Sequence, residues 1–177
     1  HPTNPDVLDL LGQAQLANKD AGGALDTYNK LVNVLPKSAL AQMRLAQTQA
    51  VLKNDTAAAE ALKRAVALQP DLLQARIAQI ELAIRRGRND EALALARQMQ
   101  KENPDAPTGF LLEGDLFLAT KKPNEALAAY DKAFAIQPTP GLLVRSAGVL
   151  RQQGKQAEAQ ARVANWLKKH PDDPQAL

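Results

Sequence analysis

Tyr28–Pro36 reads YNKLVNVLP, Leu62–Pro70 reads LKRAVALQP and Tyr130–Pro138 reads YDKAFAIQP. In each stretch apolar residues recur at helical spacing and a proline ends the pattern, because proline has no backbone N–H with which to continue a helix. The prolines also set a period: Pro36, Pro70, Pro104 and Pro138 stand 34 residues apart, and Pro171 follows after 33. A fixed interval of this size marks an array of repeated supersecondary units.

Working outward from the prolines, small or apolar residues keep the same step. Ala24, Ala58, Ala92, Ala126 and Ala159 form one ladder, and Gly12, Ala46, Ile80, Gly114 and Ala147 form a second, further upstream. Leu8, Gln42, Arg76, Phe110 and Leu143 precede the second ladder by four residues, one helical turn. Between the ladders lie polar turns: Lys19-Asp20, Lys53-Asn54, Gly87-Arg88, Lys121-Lys122 and Gly154-Lys155. Asp20 and Asn54 suit helix N-caps, and Pro123 suits a first helical turn. Each unit therefore reads as two helices, and the chain as all-α. Composition agrees, since 45% of the 177 residues are hydrophobic while only 3% are aromatic, with alanine dominant.

A 34-residue period, two helices per unit, small residues at the close crossing and a terminal proline resemble the tetratricopeptide repeat (TPR) family. The resemblance implies a right-handed superhelical solenoid of antiparallel helix pairs whose first helices line a concave groove. It covers residues 1–177 as one array, a piece of a longer one, with repeats at 5–38, 39–72, 73–106, 107–140 and 141–173 and the start of a sixth at 174–177. The missing residue is placed in the turn at Pro138-Thr139-Pro140-Gly141. One pair cannot bury its own apolar face, so Leu11, Leu45, Tyr28, Tyr130 and Trp166 need cover from a neighbouring repeat. Gln79 and Glu113 stand in the position of Leu11 and Leu45 and are expected at a partly solvated edge. If buried, they require partners, because an unpaired buried polar group costs ~1–3 kcal/mol.

Nothing in the sequence points to catalysis, a cofactor or a metal. There is no cysteine, His1 and His170 fall beside proline at equivalent turns, and no phosphate loop or HExxH pattern occurs. The chain is expected not to be an enzyme. The net charge of +3 is spread along the chain, and groove positions hold apolar residues where a base-reading array needs matched polar ones, so no nucleic acid is expected. No run approaches eighteen apolar residues, so no direct membrane contact is expected of this segment.

By the family's geometry, Asp9, Met43, Ile77, Leu111 and Val144 form one groove row, mainly apolar. Gln13, Gln47, Glu81 and Asp115 form a second row one turn further on, acidic towards the middle. Such a surface suits a protein or peptide with hydrophobic anchors and basic flanks; alternatively the stripe packs against adjacent turns of a longer superhelix. The clamp with which some TPR domains grip a terminal carboxylate is missing. Its places hold Asp9, Gln13, Arg44, Gln74 and Ala78, only one of them cationic.

Val7–Asp20 (VLDLLGQAQLANKD), Gly109–Tyr130 (GFLLEGDLFLATKKPNEALAAY) and Trp166–Asp173 (WLKKHPDD) look like the large TPR-repeat lipoproteins of bacterial PEP-CTERM/exosortase systems. That resemblance implies a scaffold in the bacterial envelope, serving exopolysaccharide or protein-sorting machinery, periplasmic or anchored to the outer membrane by a lipid upstream. The residues themselves leave the cytoplasm open. A second expectation, from another class, is a spacer or assembly module of a secretion complex with weak glycan contact.

Overall fold

The structure, a computed structural model, describes residues 4–173. Among them are ten α-helices and no strand. The first compact unit ends at Arg86 and the second begins at Gly87, so the division falls in the polar turn of the stretch 73–106. The first unit holds α1 (Pro5–Ala17), α2 (Ala21–Val34), α3 (Ala39–Val51), α4 (Asp55–Leu68) and α5 (Leu73–Arg85). The second holds α6 (Asn89–Glu102), α7 (Thr108–Ala119), α8 (Pro123–Ile136), α9 (Pro140–Gln152) and α10 (Gln156–Leu167). Within each unit every helix packs against the next along the chain. His1 and the sixth-repeat stretch 174–177 lie outside the described residues.

Two turn types alternate. After α1, α3, α7 and α9 the chain makes a Schellman turn. Lys19 N–H bonds to Leu16 O and Asp20 N–H to Gln15 O, and the same pair of bonds closes the turns at Lys53, Lys121 and Gly154. The residue at each bend, Gly87 after α5 included, is left-handed, with φ of 62° at Lys19, 61° at Lys53, 69° at Gly87, 59° at Lys121 and 75° at Gly154. After α2, α4, α6 and α8 the residue before proline ends the helix. Leu35, Gln69, Asn103 and Gln137 leave the helical region with ψ between 67° and 97°, as the proline ring requires. The helix α3 begins three residues after Pro36, at Ala39, whereas α9 begins two residues after Pro138, capped by Thr139.

The caps divide by chemistry. Asn4, Asp20, Ser38 and Thr139 accept hydrogen bonds from first-turn amides, whereas Asn54 occupies an N-cap position but gives its side-chain amide to Gln49 Oε1. Pro123 opens α8.

The core of the first unit gathers Leu8, Ala24, Tyr28, Leu31, Ala46, Ala58 and Leu62. In the second unit Ala126, Tyr130, Ala133, Leu142 and Val149 form one cluster, and Ala147, Leu150 and Ala159 a smaller one. The small-residue ladders have a steric cause. A Cβ on Gly12 would lie 2.7 and 2.8 Å from Tyr28 Cε2 and Cε1, and one on Gly114 would lie 2.6 Å from Tyr130 Cδ1. Where the second-helix residue is smaller, at Leu62 and Val163, the first helix carries Ala46 and Ala147 instead. Leu11 departs from expectation: it is 46% exposed, because no helix among the described residues precedes α1 to cover it.

Candidate functional site

The nine residues expected to face a partner lie on the first helices α1, α3, α5, α7 and α9, but their environments differ. In the first unit Gln13, Gln47 and Glu81 are exposed, while Asp9 and Ile77 are half-buried. Met43 is not available to a partner. It is only 6% exposed and belongs to the core. In the second unit Val144 is 45% exposed, Leu111 is half-buried against the core, and Asp115 is half-buried.

The carboxylates are less free than the sequence implies. Asp9 takes an ion pair from Arg44 Nε at 3.1 Å, from α3 to α1, and also accepts from Gln13 Nε2 at 2.8 Å. Asp115 pairs with Arg145 across α7 and α9 at 2.5 Å and accepts the Tyr130 hydroxyl at 2.6 Å. Arg44 and Arg145 occupy the same place in the repeat once the one-residue shortening is counted. That coincidence was the available signal for the bridge. The carboxylate moves instead, from Asp9 in one unit to a position one turn later, Asp115, in the other. Both pairs are partly solvated, so each contributes on the order of 0–1 kcal/mol and orients side chains more than it stabilises the fold. Glu81 is exposed and makes no ion pair among the described residues.

The tyrosines beneath these pairs have perturbed hydroxyls. Burial, reinforced by the hydrogen bond to Asp115 and by its negative charge, pushes the Tyr130 phenol well above its ordinary value. Burial first, and then the charge of Asp9, raises Tyr28 as well. A neutral Tyr130 donates to Asp115, fixing the carboxylate that in turn fixes Arg145.

Glu113 and Gln79 resolve differently. Gln79 is half-buried, whereas Glu113 is buried and fully engaged, accepting from Arg97 Nε at 3.0 Å and from Gln100 Nε2 at 2.8 Å. Gln100 also donates to Gly109 O at 3.2 Å, tying α6 to the start of α7. This arrangement is an ion pair at a helix crossing, with no nucleophile beside it. Among the described residues no group of histidines and carboxylates is placed to hold a metal ion, and no helix is long and apolar enough to cross a membrane.

Comparison with known proteins places these features. Structures similar in fold include MamA residues 41 to end from Desulfovibrio magneticus RS-1, with a TM-score of 0.70 at 13% identity, covering 96% of this chain and 97% of that one. TTC0263, a thermophilic TPR protein of Thermus thermophilus, gives 0.70 at 23% identity over 98% and 95%. PilF of Pseudomonas aeruginosa gives 0.72 at 20% identity over 90% and 73%. Among curated protein sequences there is no significant match. The family model described as tetratricopeptide repeat matches residues 10–72 and 77–139, most of the chain, and with its paired helices, proline-ended second helices and small-residue crossings this chain belongs to the tetratricopeptide repeat family.

Proposed function

We propose that this chain is a protein-interaction scaffold whose partner contacts the first helices of its repeats. The observation that carries the reading is the surface at α7 and α9. There Val144, 45% exposed, and half-buried Leu111 occupy the same repeat position on successive first helices, beside the Asp115–Arg145 bridge. An apolar pair framed by a held ion pair offers burial for a hydrophobic side chain and hydrogen-bonding groups for its backbone. In the first unit the matching contacts are Ile77 with Gln13, Gln47 and Glu81; Asp9 is committed to Arg44 and Met43 to the core. Since Asp9 and Asp115 are neutralised by arginines, affinity rests on apolar burial, and basic flanks on the partner add little beyond Glu81.

The setting we assign is the bacterial envelope, as a periplasmic or lipid-anchored scaffold of an exopolysaccharide or protein-sorting system, with the repeats acting as one array. The support is the resemblance of Val7–Asp20, Gly109–Tyr130 and Trp166–Asp173 to the TPR lipoproteins of such systems. The test is retention on the immobilised chain from separated envelope and cytoplasmic extracts, beside binding to an array of polysaccharides. Proteins retained from the envelope fraction, with no polysaccharide bound, are expected; retention from cytoplasm alone, or of glycan alone, overturns the assignment.

A further inference from the structure

Two glycines inside first helices are explained by the rings packed on them. A Cβ on Gly12 would strike the Tyr28 ring and one on Gly114 the Tyr130 ring, so in both units bare backbone on a first helix seats a planar side chain from its neighbour. Gly148 has no such partner. It lies in the interior of α9 with helical backbone, and a Cβ built there would meet nothing within 4 Å. Neither packing within the chain nor turn geometry asks for glycine here, although glycine is unfavourable inside a helix.

The surroundings of Gly148 are those of a contact surface. Gln13 and Gln47 hold the same repeat position on α1 and α3, with further helices packed behind them, and both are exposed, so the position belongs to the open side of the first helices. Helical spacing puts Val144, Arg145 and Arg151 on the same face of α9 as Gly148. Val144 is 45% exposed, Arg145 is held by Asp115, and Arg151 is exposed with no ion-pair partner among the described residues. We propose that Gly148 is the seat for an aromatic side chain of the protein partner, packed on the bare α9 backbone between Val144 and the Arg151 guanidinium. The inference rests on the first-helix surface proposed above and adds the chemistry of its occupant. Without a Cβ at Gly148 a ring can approach the helix as Tyr28 and Tyr130 approach Gly12 and Gly114, the valine supplies apolar contact, and a guanidinium is attracted to the face of a ring.

The test selects phage-displayed random dodecapeptides on the full chain and titrates the enriched sequences, as synthetic peptides, into wild type, Gly148→Gln and Val144→Asp by calorimetry. Thermal unfolding of each variant runs alongside. Gly148→Gln installs the residue found at positions 13 and 47, a better helix former than glycine, in space that is open in the free chain. The expected result is a set of peptides sharing one aromatic residue, whose affinity falls at least ~10-fold when that residue becomes leucine and by a similar factor against Gly148→Gln. Gly148→Gln should melt at or above the wild-type temperature, and unimpaired stability with lost binding separates a contact from a structural role. Enriched peptides with no shared aromatic residue, wild-type affinity for Gly148→Gln, a lower melting temperature of that variant, or a selection that enriches nothing overturns the proposal. Binding lost in Val144→Asp but kept in Gly148→Gln overturns the aromatic seat while sustaining the first-helix surface, and peptides indifferent to both substitutions overturn both.

Discussion

At the scale of single residues, the fold depends on size matching across each helix pair. Gly12 exists because Tyr28 fills the space that its Cβ would occupy, and alanine suffices at Ala46 because its pair carries Leu62. Gly12→Ala should therefore destabilise the chain despite gaining ~1 kcal/mol of helix propensity, since overpacking costs ~1–3 kcal/mol. In a Tyr28→Leu background the same substitution should become stabilising. Urea denaturation of the four-member cycle checks the change of sign, which additive effects could not produce. The two tyrosines supply a second expectation. Both phenols titrate above their ordinary value of 10.0 in the folded chain, so folding favours the neutral form. Their contribution is complete below pH ~10 and is lost as pH rises from there towards the folded value. Phenolate absorbance should thus rise late in the native chain and at the ordinary pH in urea, and stability should fall above pH ~10. The glycine ladder itself was legible in the sequence, but its partner was not, because periodicity locates a small residue without saying which side chain fills the gap. Glu113 was misplaced at a solvated edge for the same reason: its partners Arg97 and Gln100 lie on the preceding helix, at no fixed step of the repeat.

At the scale of helices and turns, the sequence was most informative, because proline and the polar turn residues act locally. Each proline-preceding residue leaves the helix, and each polar turn bends through a left-handed residue. Three of those bends carry lysine and two carry glycine, although only glycine adopts that conformation without strain. Lys121→Gly should accordingly raise stability by ~1 kcal/mol, part of the relieved strain being offset by the greater backbone freedom of glycine in the unfolded chain. Gly154→Lys should lower it by a similar amount, and thermal unfolding of the two variants beside wild type measures both. The turn after Pro138 shows what local reading conveys less well. One residue fewer there is visible as an interval of 33, but its consequence, a pocket bounded by Pro138, Ser146 and Trp166, arises from packing among three helices.

At the scale of the whole molecule, each helix pair needs a neighbour, and the proposed recognition surface lies on the first helices. The expected rows were legible as repeat positions, yet burial differs from rung to rung. Met43 belongs to the core of the first unit, while Val144 at the same repeat position stays open. Charge followed a similar course, since of the acidic row Asp115 is answered by Arg145, while Glu81 makes no ion pair among the described residues. The central claim is that a protein partner binds through the open apolar positions of the first helices. Its most direct measurement compares the affinity of an envelope protein retained by wild type for Val144→Asp and for Ala128→Asp, a change at an exposed position on second helix α8. The account predicts a loss of at least ~10-fold, or about 1.4 kcal/mol, for Val144→Asp with helicity intact, and little change for Ala128→Asp. Wild-type affinity in Val144→Asp would contradict it.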